Sequence, residues 1–229
     1  MYSQITGNKT KSLILIGGFM GFIILLAWIL GEATGDGSAY IILAVIISIA
    51  TSLGSYYFGD QLIIAMSGAR EADRKRDFDF FTVTENLAIA AGLPKPKLYI
   101  IEDTAMNAFA TGRDPKHAII VATSGILQRL ERRELEGVIA HEMSHIQNYD
   151  IRVMMLVAVL LGVVVLLSDM MLRTFIWAPR SNKREGGSGG LIMIGIALVL
   201  AILAPIVAQL IRLAVSRKRE YLADASGAK

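Results

Sequence analysis

The 229-residue chain contains no cysteine. Disulfides, iron–sulfur clusters and thiolate zinc sites are thereby excluded, and histidine and carboxylate remain as the strong metal ligands. Histidine is scarce too, at three residues, so a pair of them at metal-binding spacing carries weight. Charge excess is also lacking: the formal net charge is only +3. The sequence pI near 9.2 comes from bases beside apolar runs. Membrane topology and anionic lipid explain those bases better than nucleic acid, because no nucleic-acid motif accompanies them. No nucleic-acid partner is expected.

What the chain has in abundance is apolar sequence, 54% of residues with 10 methionines, at a mean hydropathy of +0.52. Leu13 to Leu30 and Ala39 to Phe58 are nearly charge-free runs close to the roughly 20 residues that cross a bilayer core. A short acidic turn, Gly31 to Ser38, joins them. Lys9 and Lys11 precede the first run, as in a signal peptide, but its apolar stretch exceeds the usual ~7–15 residues and a second span follows at once. Residues 1–60 are therefore predicted to be a retained transmembrane hairpin.

Residues 151–215 hold a second apolar pair, Val153 to Leu172 and Leu191 to Val215, around a Gly/Ser-rich loop at 173–190. The loop between the first two spans carries Glu32 and Asp36 and no base, whereas the segment after the second opens with Arg70, Arg74, Lys75 and Arg76. The positive-inside rule then predicts a multi-pass protein of the cell (inner or plasma) membrane with residues 61–150 in the cytoplasm. The bases Arg173, Arg180, Lys183 and Arg184 run against that rule, so either the second pair dips in without crossing or the earlier loops dominate. In both cases residues before 150 and after 215 share one side.

Between Gln61 and Asp150 the pattern is that of a small α+β domain. A charged helix is predicted through about Asp77 and an amphipathic one near Asp79 to Ala91, stopped by Gly92-Leu93-Pro94. Lys97 to Glu102, Met106 to Thr111 and His117 to Thr123 are short β-type runs, the last two joined as a hairpin through Gly112 to Lys116. Two helices follow from Ser124. The small side chains of Asn107, Ala108, Phe109 and Ala110 suit either an open edge that holds an extended substrate or an interior hairpin. His117 reads as a surface or turn histidine.

His141-Glu142-Met143-Ser144-His145 follows on the second of those helices, where Leu135, Val138, Ile139, Met143 and Ile146 form a buried stripe. Glu134, Gly137, His141, His145 and Asn148 form another, which stacks the two imidazoles on one face. Such a pair can hold a single zinc ion, with Glu142 beside it to activate water. Asn148, on the imidazoles' own stripe, is a candidate for supporting them. A catalytic zinc wants a third protein ligand. Glu220 is the candidate, since it follows the fourth apolar run on the histidines' side, and Asp224 one turn on could hold a ligating imidazole in place. The alternative for Glu220 is a juxtamembrane charge among Arg217, Lys218 and Arg219.

This constellation, together with Asn107 to Gly112, four apolar runs and Ala90-Ala91-Gly92-Leu93-Pro94, resembles the HtpX family of membrane zinc peptidases, relatives of the CAAX prenyl proteases. The similarity covers nearly the whole chain. It implies a membrane α-helical protein with a gluzincin-like α+β catalytic domain, mainly α with a small β-sheet. It implies one Zn2+ per chain held by His141, His145 and Glu220, Glu142 as base, and Asp224 orienting a histidine. It also implies membrane-protein substrates and a quality-control role under stress, and a family chain that runs on past Lys229, so that residues 216–229 would be the start of a longer segment.

The mechanism expected of such a site is hydrolysis of a peptide bond, with Glu142 taking a proton from a metal-activated water and passing one to the leaving amine. Both proposed ligands lie within eight residues of an apolar run, roughly 10 Å at helical rise, which predicts a site at the membrane surface. Tyr149 and Tyr221 are the candidate oxyanion donors. The rival reading is a non-catalytic membrane module with a structural zinc, which would need ligands but no Glu142. The sequence does not indicate an oligomeric state.

Overall fold

The apolar runs become long helices in the computed structural model, which describes residues 2–34 and 37–177, with side chains over 4–28 and 38–166. Helix α1 spans Tyr2–Thr34 and α2 spans Gly37–Ser67. At 1.5 Å per residue each is about 45–50 Å long, more than the ~30 Å of bilayer hydrocarbon. Gln4–Trp28 and Ser38–Ser67 are long and apolar enough to cross a membrane. The last described helix, α6 (Asp150–Trp177), carries the third predicted run and passes the same test only together with the helix before it, from which it bends by 82°. The described residues thus hold two to three spans. The fourth run at 191–215, most of the loop before it and the segment 216–229 lie outside the described residues.

The chain divides into two compact units. In the membrane unit, whose described residues are 14–34, 37–55 and 157–177, Ile14, Trp28, Ile42, Ile46, Leu53 and Leu166 stand exposed, an apolar surface suited to lipid rather than water. Phe19, Ile23 and Leu26 of α1 are buried, as are Ala44, Ser48, Ser52 and Ser55 of α2. Those four α2 residues recur every three to four positions, the small-residue face with which membrane helices approach one another.

The other unit joins residues 1–13 to 56–156. Here the chain departs from the predicted charged helix through Asp77: α2 ends at Ser67, Gly68 takes a left-handed conformation (φ 65°), and Arg70–Glu71 pair as a short strand, β1. Asp73 then turns the chain by accepting the backbone N–H groups of Lys75 and Arg76, both at 2.9 Å, which also lowers its pKa. Arg70 fixes this turn by pairing with Asp77 (3.0 Å) and Glu102 (2.8 Å). Helix formation loses to these local bonds.

Helix α3 (Phe78–Ala91) ends on left-handed Gly92, as expected. The strands are β2 (Lys97–Ile101), β3 (Ala108–Thr111) and β4 (Ile119–Thr123), shorter than their apolar runs, with His117 in a 3-10 turn (Pro115–His117) instead of a strand. The order is β1-β2-β4-β3. β2 and β4 are parallel (Leu98 beside Ile120), while β3 returns antiparallel to β4 (Phe109 beside Val121). Every residue of β4 is buried, as a central strand covered on both faces should be. Helices α4 (Ser124–Arg129) and α5 (Arg132–Gln147) follow. Phe80 and Val83 of α3, Ile100 of β2, Ile120 of β4 and Ile139 and Ile146 of α5 form the core, each removing a side chain worth about 1.5–3 kcal/mol from water.

Gly112 opens the hairpin between β3 and β4 at φ 135°, and a Cβ there would lie 2.3 Å from the His117 carbonyl oxygen. Gly112→Ala must both adopt a backbone conformation that L-residues avoid and displace that carbonyl. A loss of about 1–3 kcal/mol is expected, read as a lower unfolding midpoint in detergent. An unchanged midpoint would show that the hairpin rearranges freely.

Candidate metal centre

Helix α5 is started by acids: Glu134 reaches back to accept the Glu131 backbone N–H at 2.9 Å, and both carboxylates favour the positive end of the helix. Leu135, Ile139, Met143 and Ile146 are buried and Val138 packs against them, so the predicted stripe fixes the helix's rotation. The opposite stripe then carries the site. Gly137 is exposed with open space where a side chain would stand, His141 is half-buried, and His145 is buried.

The two imidazoles meet edge to face, with Nε2 of His141 and Nε2 of His145 3.3 Å apart. Two nitrogens each ~2.0–2.1 Å from one tetrahedral zinc ion are also about 3.3–3.4 Å apart. On the far side of His145, Nδ1 lies 3.2 Å from Oδ2 of Asp150. That carboxylate draws the proton to Nδ1 and turns the Nε2 lone pair toward its neighbour, as a ligand requires. Asp150 is in turn held at 2.6 Å by the Asn8 side-chain amide, whose Nδ2 also donates to the Asn148 carbonyl at 2.9 Å. Asn8 (4% exposed), Asn148 and Asp150 are all buried.

The sharp bend between α5 and α6 makes this possible. Asn148 closes α5, Tyr149 sits at φ 61°, and α6 begins at once with Asp150. A left-handed tyrosine is strained. Its ring lies between the Lys9 ammonium (4.8 Å) and the Arg152 guanidinium (5.1 Å), which hold it there.

Glu142, only 9% exposed, faces β3. Burial pushes its carboxyl pKa up, against the pull of His145, His141 and a hydrogen bond from the Ala110 backbone N–H. Among the described residues β3 is the sheet's outer strand, and no further strand pairs with the other side of Asn107 to Ala110. The Asn107 carbonyl accepts the Thr123 N–H of β4, so by alternation Ala108 and Ala110 direct their backbone groups outward. The Thr123 hydroxyl anchors this strand, donating to Ala105 (2.6 Å) and accepting from Asn107 (3.0 Å).

Of the predicted site residues, the structure brings together His141, Glu142, His145 and the strand at Ala110, while Asn148 accepts through its carbonyl from Asn8. Glu220, Asp224 and Tyr221 lie outside the described residues, and among the described residues no group of three His, Asp or Glu converges on a metal. His117 is a surface histidine paired with Asp114 at 2.8 Å. Asp150 and Asn8 were not anticipated. The available signals were an aspartate at the mouth of an apolar run, five residues past His145, and an amide between the polar start and the apolar body of α1.

The profile of Peptidase family M48 matches residues 74–229, more than half of the chain. The chain belongs to peptidase family M48. Its relatives within M48 are HtpX homologs: the Protease HtpX homolog of Tropheryma whipplei (strain TW08/27) is 45% identical over 232 residues, covering 100% of this chain and 76% of that protein. The homolog of Dictyoglomus turgidum (strain DSM 6724 / Z-1310) is 40% identical over 227 residues, covering 99% of this chain and 73% of that protein. The crystal structure of S. mikatae Ste24p shares the fold, with a TM-score of 0.50 and 22% identity; the whole of this chain spans 56% of that one. As an M48 peptidase of the HtpX group, the chain is a zinc metalloendopeptidase of the membrane. Convergent imidazoles with one nitrogen pinned by Asp150 are a donor set that fits zinc.

Proposed function

We propose that this M48 peptidase cleaves misfolded or damaged membrane proteins, at the cytoplasmic surface of the membrane, by laying an extended segment along β3. The observation that carries the reading is the Glu142 carboxylate between the imidazole pair and the outward N–H of Ala110. A chain added to that edge passes directly beside the base. His141, His145 and Glu220 would hold one zinc ion, which when bound supplies Lewis acidity to a water and a peptide carbonyl. Glu142 accepts the water's proton and returns one to the leaving amine. The outward N–H and carbonyl of Ala108 and the carbonyl of Ala110 hold the substrate backbone, the Ala110 N–H being taken by Glu142, and Asp150 keeps His145 aimed.

The adjoining apolar helices and the bases after α2 support a site close to the bilayer on its cytoplasmic side. Substrates drawn from the membrane would then need no transit, and a backbone-read edge would accept unfolded segments of many sequences.

The test uses the protein in vesicles with a destabilised membrane protein as substrate. Cleavage should stop with a zinc chelator and return with zinc, and fragments should appear only when the site and the substrate's cytoplasmic segments share one side. Ala108→Pro removes one outward N–H at a position where an edge strand tolerates proline. It should raise KM about 2–10-fold with kcat nearly unchanged. Cleavage of folded and damaged substrates at equal rates would overturn the quality-control reading, and an unaltered KM would remove β3 from substrate binding.

A further inference from the structure

A basic groove lies away from the imidazoles, where α2 enters the catalytic unit. It has a volume of about 590 Å³, and Tyr57, Phe58, Lys97, Arg113, Lys116 and His117 line it. Its cations are not equivalent. Lys95 at the rim is neutralised by Glu85 at 3.0 Å, and His117 is paired with Asp114. Among the described residues neither the Lys97 nor the Lys116 ammonium has an acceptor, although both are exposed. Arg113 is pre-positioned: its Nη1 donates to the Tyr57 carbonyl at 3.1 Å, its Nε lies 3.7 Å from Oδ2 of Asp114, and its guanidinium lies 5.5 Å from the centre of the Tyr57 ring, which leaves Nη2 uncommitted among the described residues. Asp60 is the one acid in the lining, and its carboxylate is engaged with the Gln61 N–H at 2.9 Å.

Depth gives the groove its meaning. The apolar run of α2 from Ala39 to Phe58 is 20 residues of helix, about 30 Å, which uses up the hydrocarbon thickness. Tyr57 (50% exposed) and Phe58 (61% exposed) therefore end the run at the level where aromatic side chains meet lipid headgroups, and Asp60 is the first charge beyond. Two unpartnered ammonium groups and a fixed guanidinium at that level match a phosphate whose own acyl chains remain in the bilayer.

We propose that this groove binds the phosphate of an anionic phospholipid, fixing how the catalytic unit rests on the membrane. Lys97 and Lys116 neutralise the phosphate, Arg113 donates to it from Nη2 while Tyr57 and Asp114 fix the rest of the guanidinium, and the exposed faces of Tyr57 and Phe58 meet the glycerol and first methylenes. The inference rests on the chain being a membrane protein and is independent of which substrates it cleaves.

The experiment measures the unfolding midpoint of the protein in phosphatidylcholine vesicles with and without phosphatidylglycerol, and in phosphatidylcholine with inorganic phosphate. Phosphatidylglycerol should raise the midpoint by roughly 2–4 °C, as a ligand present at several times its Kd does for a chain of this size. The Lys97→Gln/Lys116→Gln protein should lose most of that rise, while a charge-matched Arg129→Gln/Arg133→Gln control keeps it. No rise with phosphatidylglycerol, or an equal loss in the control, overturns the site. An equal rise with inorganic phosphate overturns the lipid assignment in favour of a free anion. Phospholipid co-purifying with the wild type and absent from the lysine variant, read by native mass spectrometry, gives a second readout should the variant's midpoint itself be lowered.

Discussion

Replacing Glu142 by glutamine is expected to lower kcat by about 10²–10⁴-fold, the range spanned by positioned general bases, while zinc content and KM stay close to wild type. The substitution is chosen for what it preserves. Glutamine has the shape of glutamate and its carbonyl oxygen can still accept the Ala110 N–H, so the contact between α5 and the edge strand survives. It removes only the ability to take and return a proton. The burial that raises the Glu142 pKa makes the native carboxylate a stronger base than an exposed glutamate, and so better able to deprotonate an activated water near neutral pH. The measurement is single-turnover cleavage with metal content determined on the same sample. A zinc-loaded Glu142→Gln protein that cleaves at the wild-type rate takes Glu142 out of the proton path, and a metal-free one would show that the residue supports the site's shape.

The metal helix was legible because its signal is periodic and local. Leu135, Ile139, Met143 and Ile146 bury one face whatever they pack against, and helical geometry then places His141 over His145. The strands at Lys97, Ala108 and Ile119 were legible for the same reason. Their pairing was not: β2 lies parallel to β4, a partner reached across the hairpin strand, and nothing in a run of β-branched residues says which neighbour it will choose. That order is what leaves β3 on the edge, the alternative the sequence could not separate from an interior hairpin. The bases from Arg70 to Arg76 misled in a different way. They read as a continuing charged helix, yet Gly68 and the Asp73 turn supply local bonds that a helix there would forfeit. The bend at Tyr149 was hidden because its cause is tertiary, the two cations gathered from α1 and α6 onto one ring.

Removing the carboxylate at position 150 is expected to weaken zinc binding by about 10–100-fold, the usual effect of losing the partner that orients a ligating histidine. Asp150→Ala leaves His145 with no acceptor at Nδ1, so the ring loses both its preferred tautomer and its fixed orientation. Asn8→Leu should act through the same carboxylate from 142 residues away in sequence, because Asn8 holds the other Asp150 oxygen at 2.6 Å. Its own effect should be smaller, and it leaves the buried Asn148 carbonyl without its side-chain donor, a cost of about 1–3 kcal/mol in folding. Affinity and stability therefore have to be read separately, zinc affinity by competition with a chelator and folding by the unfolding midpoint. If Asn8 works by positioning Asp150, its effect on zinc affinity should vanish in the Asp150→Ala background while its effect on the midpoint persists. Additive losses in zinc affinity would mean that Asn8 supports the site by another route. The coupled result would make α1 part of the metal centre, so that the same helix that enters the bilayer also sets the aim of a zinc ligand.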